Sequence, residues 1–415
     1  MDGKAVVRAD AEAQALRQSG AEALAQALQA SRRDTLATFE LFEAALAARD
    51  FVVPQSIELN PPLWELGHIG WFQTHWIGRN PERLRGAAAD PFVPRLPAAR
   101  HNADALYDSS RVVQPTRWSL TLPGAQATRA DLADGLAQSL DLLRASPEDT
   151  DSLYFHRLCL FHEDMHHEAA LYMAQVLGIA VIDPRWQPQP IAAARPLALR
   201  GGDWTLGTPG TPAGFAFDNE LGSQAVRLAP CHIDSHVQRW ADYLPFIDAG
   251  GYEDDALWPG PALAWRQSQG ASAPRYLRQQ GGVWQQCRWG RWQALDLNLP
   301  ACHLSAFEAQ AFCTWAGRRL PTEAEWECAA MTLGDALADP FQWGHVWEWT
   351  ASPFTPYPGF VAHPYRDYSQ PWFDGRPVLR GGSFGTQPRM KHPRYRNYFA
   401  PARNDIFAGF RTCAV

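Results

Sequence analysis

The sequence predicts an α+β protein of two parts, a helical first part and a mixed second part. Three observations support this prediction. The chain has 415 residues, which is too long for one ordinary hydrophobic core. Apolar residues recur at helical spacing over the first ~185 residues, whereas Gly, Pro and Trp become dense and apolar runs shorten after Ile182. The Pro-rich segment Asp183–Pro190 is typical of a linker, so we predict domains at residues 1–185 and 186–415.

The first domain is predicted to be a four-helix bundle with one long crossover. Asn60 is the predicted N-cap of the second helix, because Pro residues follow it directly. Gly178 is the predicted end of the fourth helix, since Gly readily takes the left-handed conformation there. The predicted helices are Ala11–Arg49 with a break near Ser31, Pro61–Gly78, Arg129–Ala145 and Thr150–Gly178, and the extended crossover is Pro91–Pro123.

The second domain is predicted to combine short strands with two short helices in a largely irregular α+β fold. Its helices are Ser305–Trp315 and Thr322–Ala330. The predicted strands are Leu199–Gly207, Val226–Ile233, Leu379–Phe384 and Ala408–Thr412.

Composition argues against several classes of partner. The net charge is −7 and the basic residues are scattered, which disfavours nucleic acid and anionic membranes as partners. No apolar run reaches about 18 residues, and Met1–Ser19 lacks the apolar core of a signal peptide. Seven cysteines without a CxxC pair are typical of reduced thiols. We therefore expect a cytoplasmic protein that acts on small molecules.

The chemistry is expected to lie at His162 and His166. The two residues are four apart in a predicted helix, so both imidazoles project from one face and can bind one metal ion. His68 is the best third ligand, and His75, two turns further on, is its rival. Imidazole ligands suit iron, zinc, copper and nickel alike.

Two acidic residues accompany the histidine pair. Glu168 follows His166 by two residues, and regular helix geometry turns it about 200° away from the ligand face. It can support a ligand only if the helix is distorted, and a solvated or inter-helix carboxylate is an equal alternative. The His-Glu-x-x-His pattern also invites a zinc protease interpretation with Glu163 as general base, but no third ligand of the usual kind follows.

Segments from both halves resemble one known family. Asn60–Phe72 and His162–Glu168 resemble the DinB-like domain of the ergothioneine-type sulfoxide synthases. The second half resembles the formylglycine-generating-enzyme fold, which is related to C-type lectins. Phe384–Tyr395 lacks the reactive cysteine pair of that fold's formylglycine generators, so only the fold is implied. The matching segments of the second half are Gly214–Glu220, Ala316–Glu327, Val346–Thr350, Leu379–Ser383 and Phe407–Arg411.

The resemblance implies a chemistry and a set of ligands. Members of this family use iron(II) on three histidines, with O2 as co-substrate, to join a chalcogen to C2 of the imidazole ring of hercynine. His68, His162 and His166 match the iron ligands of the family. Three protein ligands leave coordination positions for the substrates.

The resemblance also implies a substrate pocket near the C-terminus. Asn397 matches the asparagine that contacts hercynine, and Tyr398 stands where an aromatic residue lies beside it. Phe399 replaces an aspartate found in the enzymes that use γ-glutamylcysteine, and Met165 replaces a frequent Gln. A carboxylate would suit the ammonium group of such a donor, whereas Phe cannot replace it.

These departures bear on the chalcogen donor. The stretch Asp104–Arg111, with Thr116–Trp118 beyond it, resembles the selenoneine synthase branch, which joins hercynine to a selenosugar, 1-seleno-N-acetylglucosamine. Carbon–selenium bond formation is therefore the first functional prediction. The alternative is a sulfoxide synthase that joins hercynine to cysteine or γ-glutamylcysteine.

The family also implies a tyrosine that donates a proton near the iron. Four tyrosines of the C-terminal half are candidates, and Tyr365 and Tyr398 are our predictions among them. Two functions of other classes stay open: a lectin-like binding module, and a zinc-dependent thiol transferase of the DinB type. The candidate tyrosines are Tyr357, Tyr365, Tyr368 and Tyr398.

Overall fold

The structure is a computed structural model that describes residues 3–334 and 340–415, with side chains from residue 11 onward. Met1 and Asp2, part of the predicted first domain, lie outside the described residues. The first half is helical, as predicted. Its helices are α1 (Gly3–Gln18), α2 (Ala21–Leu46), α3 (Pro62–Gln73), α4 (Ala103–Tyr107), α5 (Ala125–Arg144) and α6 (Tyr154–Leu177).

The long first helix is interrupted earlier than predicted. The predicted break near Ser31 is wrong, because α2 runs unbroken through that residue and the interruption lies between Gln18 and Ala21. Ser31 is fully buried, and its hydroxyl donates to Asp164 of α6 at 2.7 Å. A buried partner on another helix therefore satisfies a side chain that would otherwise favour a helix end.

Helix α3 begins one residue later than predicted. Its N-cap is Pro61 rather than Asn60, whose side chain instead donates to Glu65. The helix passes into a π-helical turn at Thr74–Gly78. Gly67 lets Tyr107 pack against the helix axis, because a Cβ there would lie 2.3 Å from the tyrosine ring. This close approach fixes the face of α3 that carries His68.

The two remaining long helices follow the predictions closely. Helix α5 begins at Ala125, four residues before the predicted start, and ends one residue before the predicted end. Helix α6 begins at Tyr154 and ends at Gly178, which has a φ of 68°. The prediction that Gly178 ends this helix is therefore confirmed.

The second half mixes short helices with four small sheets. Its helices are α7 (Trp240–Asp248), α8 (Pro261–Gln269), α9 (Ala306–Trp315) and α10 (Glu323–Thr332). The strand orders of the sheets, within the described residues, are β1-β4-β13-β8, β11-β10-β9-β12, β2-β3 and β5-β6-β7. The strands are β1 (Pro196–Leu199), β2 (Gly202–Thr208), β3 (Gly222–Leu228), β4 (Cys231–Asp234), β5 (Leu277–Gln280), β6 (Val283–Arg288), β7 (Arg291–Ala294), β8 (Arg318–Arg319), β9 (Trp347–Pro353), β10 (Pro377–Arg380), β11 (Asn397–Tyr398), β12 (Ala408–Gly409) and β13 (Cys413–Ala414).

The predicted helices of this half are correct to within two residues, and the predicted strands need correction. Ser305 and Thr322 cap α9 and α10, each with a reciprocal glutamate in a capping box. The predicted strand 199–207 covers the end of β1 and most of β2, because the chain turns between them. The predicted strand 226–233 covers parts of β3 and β4 for the same reason. The predicted strand 379–384 ends at Arg380, and the one at 408–412 is only Ala408–Gly409.

Buried polar contacts join the helical half to the C-terminal segment. Arg389 donates two hydrogen bonds to Asp164 of α6. Arg17 of α1 forms a buried ion pair with Glu220. The whole is an α+β multidomain protein, whereas the boundary at residue 185 and the DinB-like character of the helices stay predictions. Within the described residues, no helix combines the length and the apolarity that crossing a membrane requires.

Candidate metal centre

Three histidines from two helices converge in the interior of the helical half. His68 lies on α3, and His162 and His166 lie one turn apart on α6. One ring nitrogen of each lies within 4.8 Å of the others. The Nε2 atoms of His68 and His162 are 3.2 Å apart. This is the cluster that the spacing and the resemblance predict.

Hydrogen bonds to the opposite ring nitrogens orient two of these imidazoles. His68 Nδ1 lies 2.8 Å from the carbonyl oxygen of Tyr107, and His166 Nδ1 lies 2.5 Å from a carboxylate oxygen of Glu65. Each acceptor requires a proton on Nδ1, so in the neutral ring the lone pair that can bind a metal lies on Nε2. Burial lowers the pKa of His68 to about 3 and that of His162 well below its usual value. The rings of His68 and His162 are therefore neutral, as metal binding requires.

Aromatic side chains wall the cluster. Phe72 stacks on His162 with ring centroids 3.5 Å apart and planes 4° apart. Trp64 stacks on His68 at 4.8 Å and 9°. Tyr365 meets Phe72 edge-on, and its ring centroid lies 6.0 Å from that of His162. These rings restrict the rotamers of the histidines and keep bulk water away from them.

The donor set fits a transition metal. The Nε2 atoms of His68 and His162 face each other at 3.2 Å, and neither has another partner among the described residues. One metal ion between them would accept both lone pairs. Three imidazoles also leave open coordination positions for substrates. The ligand types alone do not distinguish iron from zinc, copper or nickel.

Other predicted residues lie elsewhere. The ring of His75 packs between Trp71 and Trp76, and His75 is not part of the three-histidine cluster. Glu163 pairs with the guanidinium of Arg32 at 2.8 Å in a fully buried contact. It is therefore committed to a structural ion pair, which removes the support for its role as a protease base.

Glu168 contacts the C-terminal half. Its carboxylate accepts hydrogen bonds from Trp347, Ser383 and Thr386, as expected for a residue that regular helix geometry turns away from the ligands. The carboxylate that meets a ligand is Glu65, which sequence reasoning missed. Burial acts to raise the pKa of Glu65, but the neighbouring His166 holds it at about 2. Its position three residues before His68, on the same helix face, was the available signal.

A cavity of about 230 Å³ opens beside His166. All four residues of the predicted substrate pocket line it, although they come from distant parts of the sequence. Most of the remaining lining is aromatic. The lining residues are Met165, His166, Glu168, Ala169, Tyr172, Trp347, Tyr368, Tyr395, Asn397, Tyr398, Phe399, Ile406 and Phe407.

The four candidate tyrosines occupy different places. Tyr365 is the one beside the histidines. Tyr368 and Tyr398 line the cavity, and Tyr398 stacks on Phe354 at 4.0 Å. Tyr357 is remote, since its hydroxyl donates to Glu323. Burial raises the pKa of Tyr365, so its hydroxyl stays protonated.

The chain is similar to several known proteins. Residues 184–345 and 337–414 match the sulfatase-modifying factor enzyme 1-like domain. The hercynine oxygenase of Mycolicibacterium smegmatis is 31% identical over 94% of this chain and 98% of its own. That of Mycobacterium tuberculosis is 32% identical over 85% of this chain and 90% of its own. The formylglycine-generating enzyme of Streptomyces coelicolor is 27% identical over 54% of this chain and 90% of its own.

The fold, the cluster and these similarities define an oxygen-dependent enzyme with a sulfatase-modifying-factor-like C-terminal half. More narrowly, the chain belongs to the hercynine oxygenase family, because the likeness extends over nearly its whole length.

Proposed function

We propose that this protein is an iron(II) enzyme that uses O2 to join a chalcogen donor to C2 of the imidazole ring of hercynine. The observation that carries the proposal is the cavity that meets His166 at one end and is lined by aromatic side chains and Asn397. Since His166 is one of the three clustered histidines, a substrate bound in this cavity would lie beside the cluster. The names of the relatives, hercynine oxygenases, supply the substrate.

The cavity suits the trimethylammonium group of hercynine. Aromatic faces attract such a cation because their π-electron clouds are negative. Tyr172, Tyr368 and Tyr395 supply rings that remain neutral at physiological pH, since burial raises the pKa of each hydroxyl. Asn397 offers an amide for polar contact with the substrate. Its Oδ1 already accepts from the amide N–H of Tyr398 at 2.8 Å, which fixes the orientation of the side chain.

The residues of the chain have separable tasks. His68, His162 and His166 would hold iron(II), which supplies the activation of O2 when bound. The cavity residues orient hercynine beside His166, which supplies proximity. Tyr365 holds a proton at its phenolic oxygen, its ring centroid lies 6.0 Å from that of His162, and Phe72 keeps its ring in place.

The similarity to hercynine oxygenases favours a thiol, cysteine or γ-glutamylcysteine, as the donor. In that reaction the imidazole C2–H and the thiol S–H are lost, one oxygen of O2 becomes the sulfoxide oxygen, and the other leaves in water. A selenosugar is the second candidate. Phe399 favours it, because this side chain lines the cavity where an acid would bind the ammonium group of an amino-acid donor.

A competition assay tests the proposal. The enzyme is loaded with iron(II) anaerobically and given hercynine and O2 with equal amounts of γ-glutamylcysteine, cysteine, the selenosugar and the matching thiosugar. Mass spectrometry of the products identifies the donor. Turnover that needs no O2, or that zinc supports equally, would contradict the proposal and favour a thiol transferase. Absence of bound metal would favour a binding module.

Replacing Phe399 by Asp is expected to shift the preference between donors. An acid at this position gains a charge-assisted hydrogen bond to an ammonium group, worth about 1.5–3 kcal/mol. The ratio of kcat/KM for γ-glutamylcysteine to that for the selenosugar should therefore rise roughly 10- to 100-fold. Phe399→Asn is the matched control, because asparagine has nearly the same shape as aspartate but carries no charge. An equal change of this kcat/KM ratio in both variants would show that the smaller side-chain volume causes the effect, and would refute the electrostatic explanation.

Replacing Tyr365 by Phe is expected to lower kcat by roughly 10²- to 10⁴-fold, the usual contribution of a positioned proton donor. The ring still packs on Phe72, so bound metal and the KM for hercynine should change little. Tyr357→Phe is the control, because it removes another buried hydroxyl that lies far from the cluster. Equal losses of kcat in the two variants would show that Tyr365 has no chemical role.

A further inference from the structure

We propose that Arg117 is a positioning residue of the metal centre and acts on two of the three ligand histidines by separate routes. The inference rests on the proposed function, since it requires that the histidines bind a metal. Arg117 lies in the 3₁₀ helix Gln114–Ser119, outside both helices that carry the ligands. Its side chain donates to Asn60 and lies over the ring of Trp64, and these two side chains carry its positioning effect to the histidines.

The first route is a chain of hydrogen bonds that ends at His166. Arg117 Nη1 donates to Oδ1 of Asn60 at 2.8 Å. Asn60 Nδ2 donates to Oε1 of Glu65 at 2.5 Å. The other oxygen of Glu65, Oε2, accepts from His166 Nδ1 at 2.5 Å. The four side chains thus form one continuous chain from the 3₁₀ helix to a ligand.

The direction of this chain is fixed by chemistry. Arginine has only donors, so the carbonyl oxygen of Asn60 must face Arg117 and its amide nitrogen must face Glu65. Ionised Glu65 has only acceptors, so His166 must carry its proton on Nδ1. The Nε2 of His166 is then left free to bind the metal. Arg117 therefore determines which way Asn60 points, and Asn60 holds Glu65 in place for His166.

The second route is a stack of planar groups that ends at His68. The guanidinium of Arg117 lies 3.7 Å from the ring centroid of Trp64, and Trp64 stacks in turn on His68. Trp64 is 1% exposed, and its indole N–H donates to the carbonyl of Leu106. The carbonyl of Tyr107, the next residue, accepts from His68. One short segment therefore holds both the tryptophan and the histidine.

The 3₁₀ helix that carries Arg117 is itself held against the loop before α3. Gln114 donates to the carbonyl oxygens of Ser56 and Leu59 at 2.8 and 2.9 Å. The indole N–H of Trp118 donates to Val53 at 2.9 Å. These bonds keep the backbone of Arg117 in register with Asn60. The crossover between α4 and α5 thus helps to hold the residues around the metal centre in position.

The relay also sets the electrostatics of the site. Glu65 places a negative charge on the far side of His166, which strengthens the imidazole as a metal ligand. Burial of Glu65 and Trp64 increases the strength of each hydrogen bond in the chain. Loss of an outer hydrogen-bond partner of this kind costs about 10- to 100-fold in metal affinity. We expect that cost for Glu65→Gln and for Arg117→Met.

The test measures the affinity of the full-length, metal-free protein for Co(II) and Fe(II) by competition with a chelator. The variants are Glu65→Gln, Arg117→Met and the double variant. Arg111→Met is the matched control, because Arg111 lies in the same crossover with 81% of its side chain exposed. Thermal unfolding of each metal-free variant shows whether it is folded, and Arg117→Lys, which keeps a donor for Asn60, is expected to recover part of the affinity.

Three results are expected. Each single variant binds Co(II) roughly 10- to 100-fold more weakly, and its Co(II) absorption bands shift, because the ligand field at His166 changes. The double variant loses less than the product of the two single losses, since Arg117 acts in part through Glu65. Arg111→Met binds as the wild type does.

Three other results would overturn the inference while leaving the proposed function intact. They are wild-type affinity and spectrum in Arg117→Met, an equal loss in Arg111→Met, and losses that multiply in the double variant. Failure of the wild-type protein itself to bind metal would overturn both proposals.

Discussion

The His162→Ala variant is expected to lose stoichiometric iron binding and, with it, turnover. His162 lies next to both other ligands: its Nε2 is 3.2 Å from that of His68, and it is one helical turn before His166. Its removal leaves two imidazoles, which cannot retain the ion against water. The affinity for iron should therefore fall by more than about 100-fold. Loss of a residue that only hydrogen-bonds to a ligand costs up to about 100-fold, and loss of a ligand itself should cost more. Metal analysis after gel filtration measures the loss directly.

His167→Gln is the control for that experiment. His167 is the neighbouring histidine of the same helix and is equally buried, but its Nε2 lies 3.0 Å from the Thr38 hydroxyl and its ring packs on Trp186. Glutamine can keep the polar contact. The control should hold iron as the wild type does. Full metal content in His162→Ala, or equal loss in both variants, would refute the assignment of the centre.

Spacing alone predicted the two metal-ligand candidates that lie on the same helix. His162 and His166 were readable because an interval of four residues brings side chains together in any α-helix. His68 is 94 residues away from His162 in the sequence. The residues alone made it the better candidate but left His75 as a rival, and the family resemblance favoured His68. The structure distinguishes the two, because His75 packs among tryptophans outside the cluster.

The features that sequence reasoning missed depend on partners far along the chain. Glu65 meets His166 across 101 residues, and Ser31 meets Asp164 across 133. Local spacing relates Glu65 to His68 but not to His166, so the first contact was overlooked. Nothing local relates Ser31 to Asp164, so Ser31 was mistaken for a helix break. Strands of two residues such as β8 carry no periodic pattern, and β8 forms because it pairs with β13. The fold class was predictable from composition and period, whereas these details required the tertiary structure.

Spacing could not choose among the four candidate tyrosines, for a related reason. Tyr365 lies in an irregular segment between β9 and β10, where no spacing relates a side chain to a face. Its place beside His162 follows from packing on Phe72 of α3, nearly three hundred positions earlier in the chain. A residue that reaches a site from a loop can be identified only when the loop's path is known.

The Arg389→Met variant is expected to lose about 3–5 kcal/mol of stability, because it leaves a buried carboxylate without its counter-ion. Asp164 on α6 is fully buried and accepts hydrogen bonds from Arg389 at 2.8 and 2.6 Å. Among the described residues, the hydroxyl of Ser31 would remain as its one hydrogen-bond partner. Denaturant unfolding measures the loss. Arg144→Met is the control, since the ion pair of Arg144 with Asp141 is exposed and worth about 0–1 kcal/mol.

A second substitution separates the charge from the packing in this contact. Replacing Asp164 by Leu in the Arg389→Met background removes the stranded carboxylate, and buried ion pairs replaced by apolar side chains of similar size often regain their stability. We expect most of the lost stability to return. Asp164 lies between His162 and His166 on α6, so Arg389→Met should also weaken iron binding. Iron binding should return together with stability, because a stable α6 suffices to hold both ligands. Recovery of stability without recovery of iron binding would instead show that the Arg389 contact sets the position of α6 against the C-terminal half.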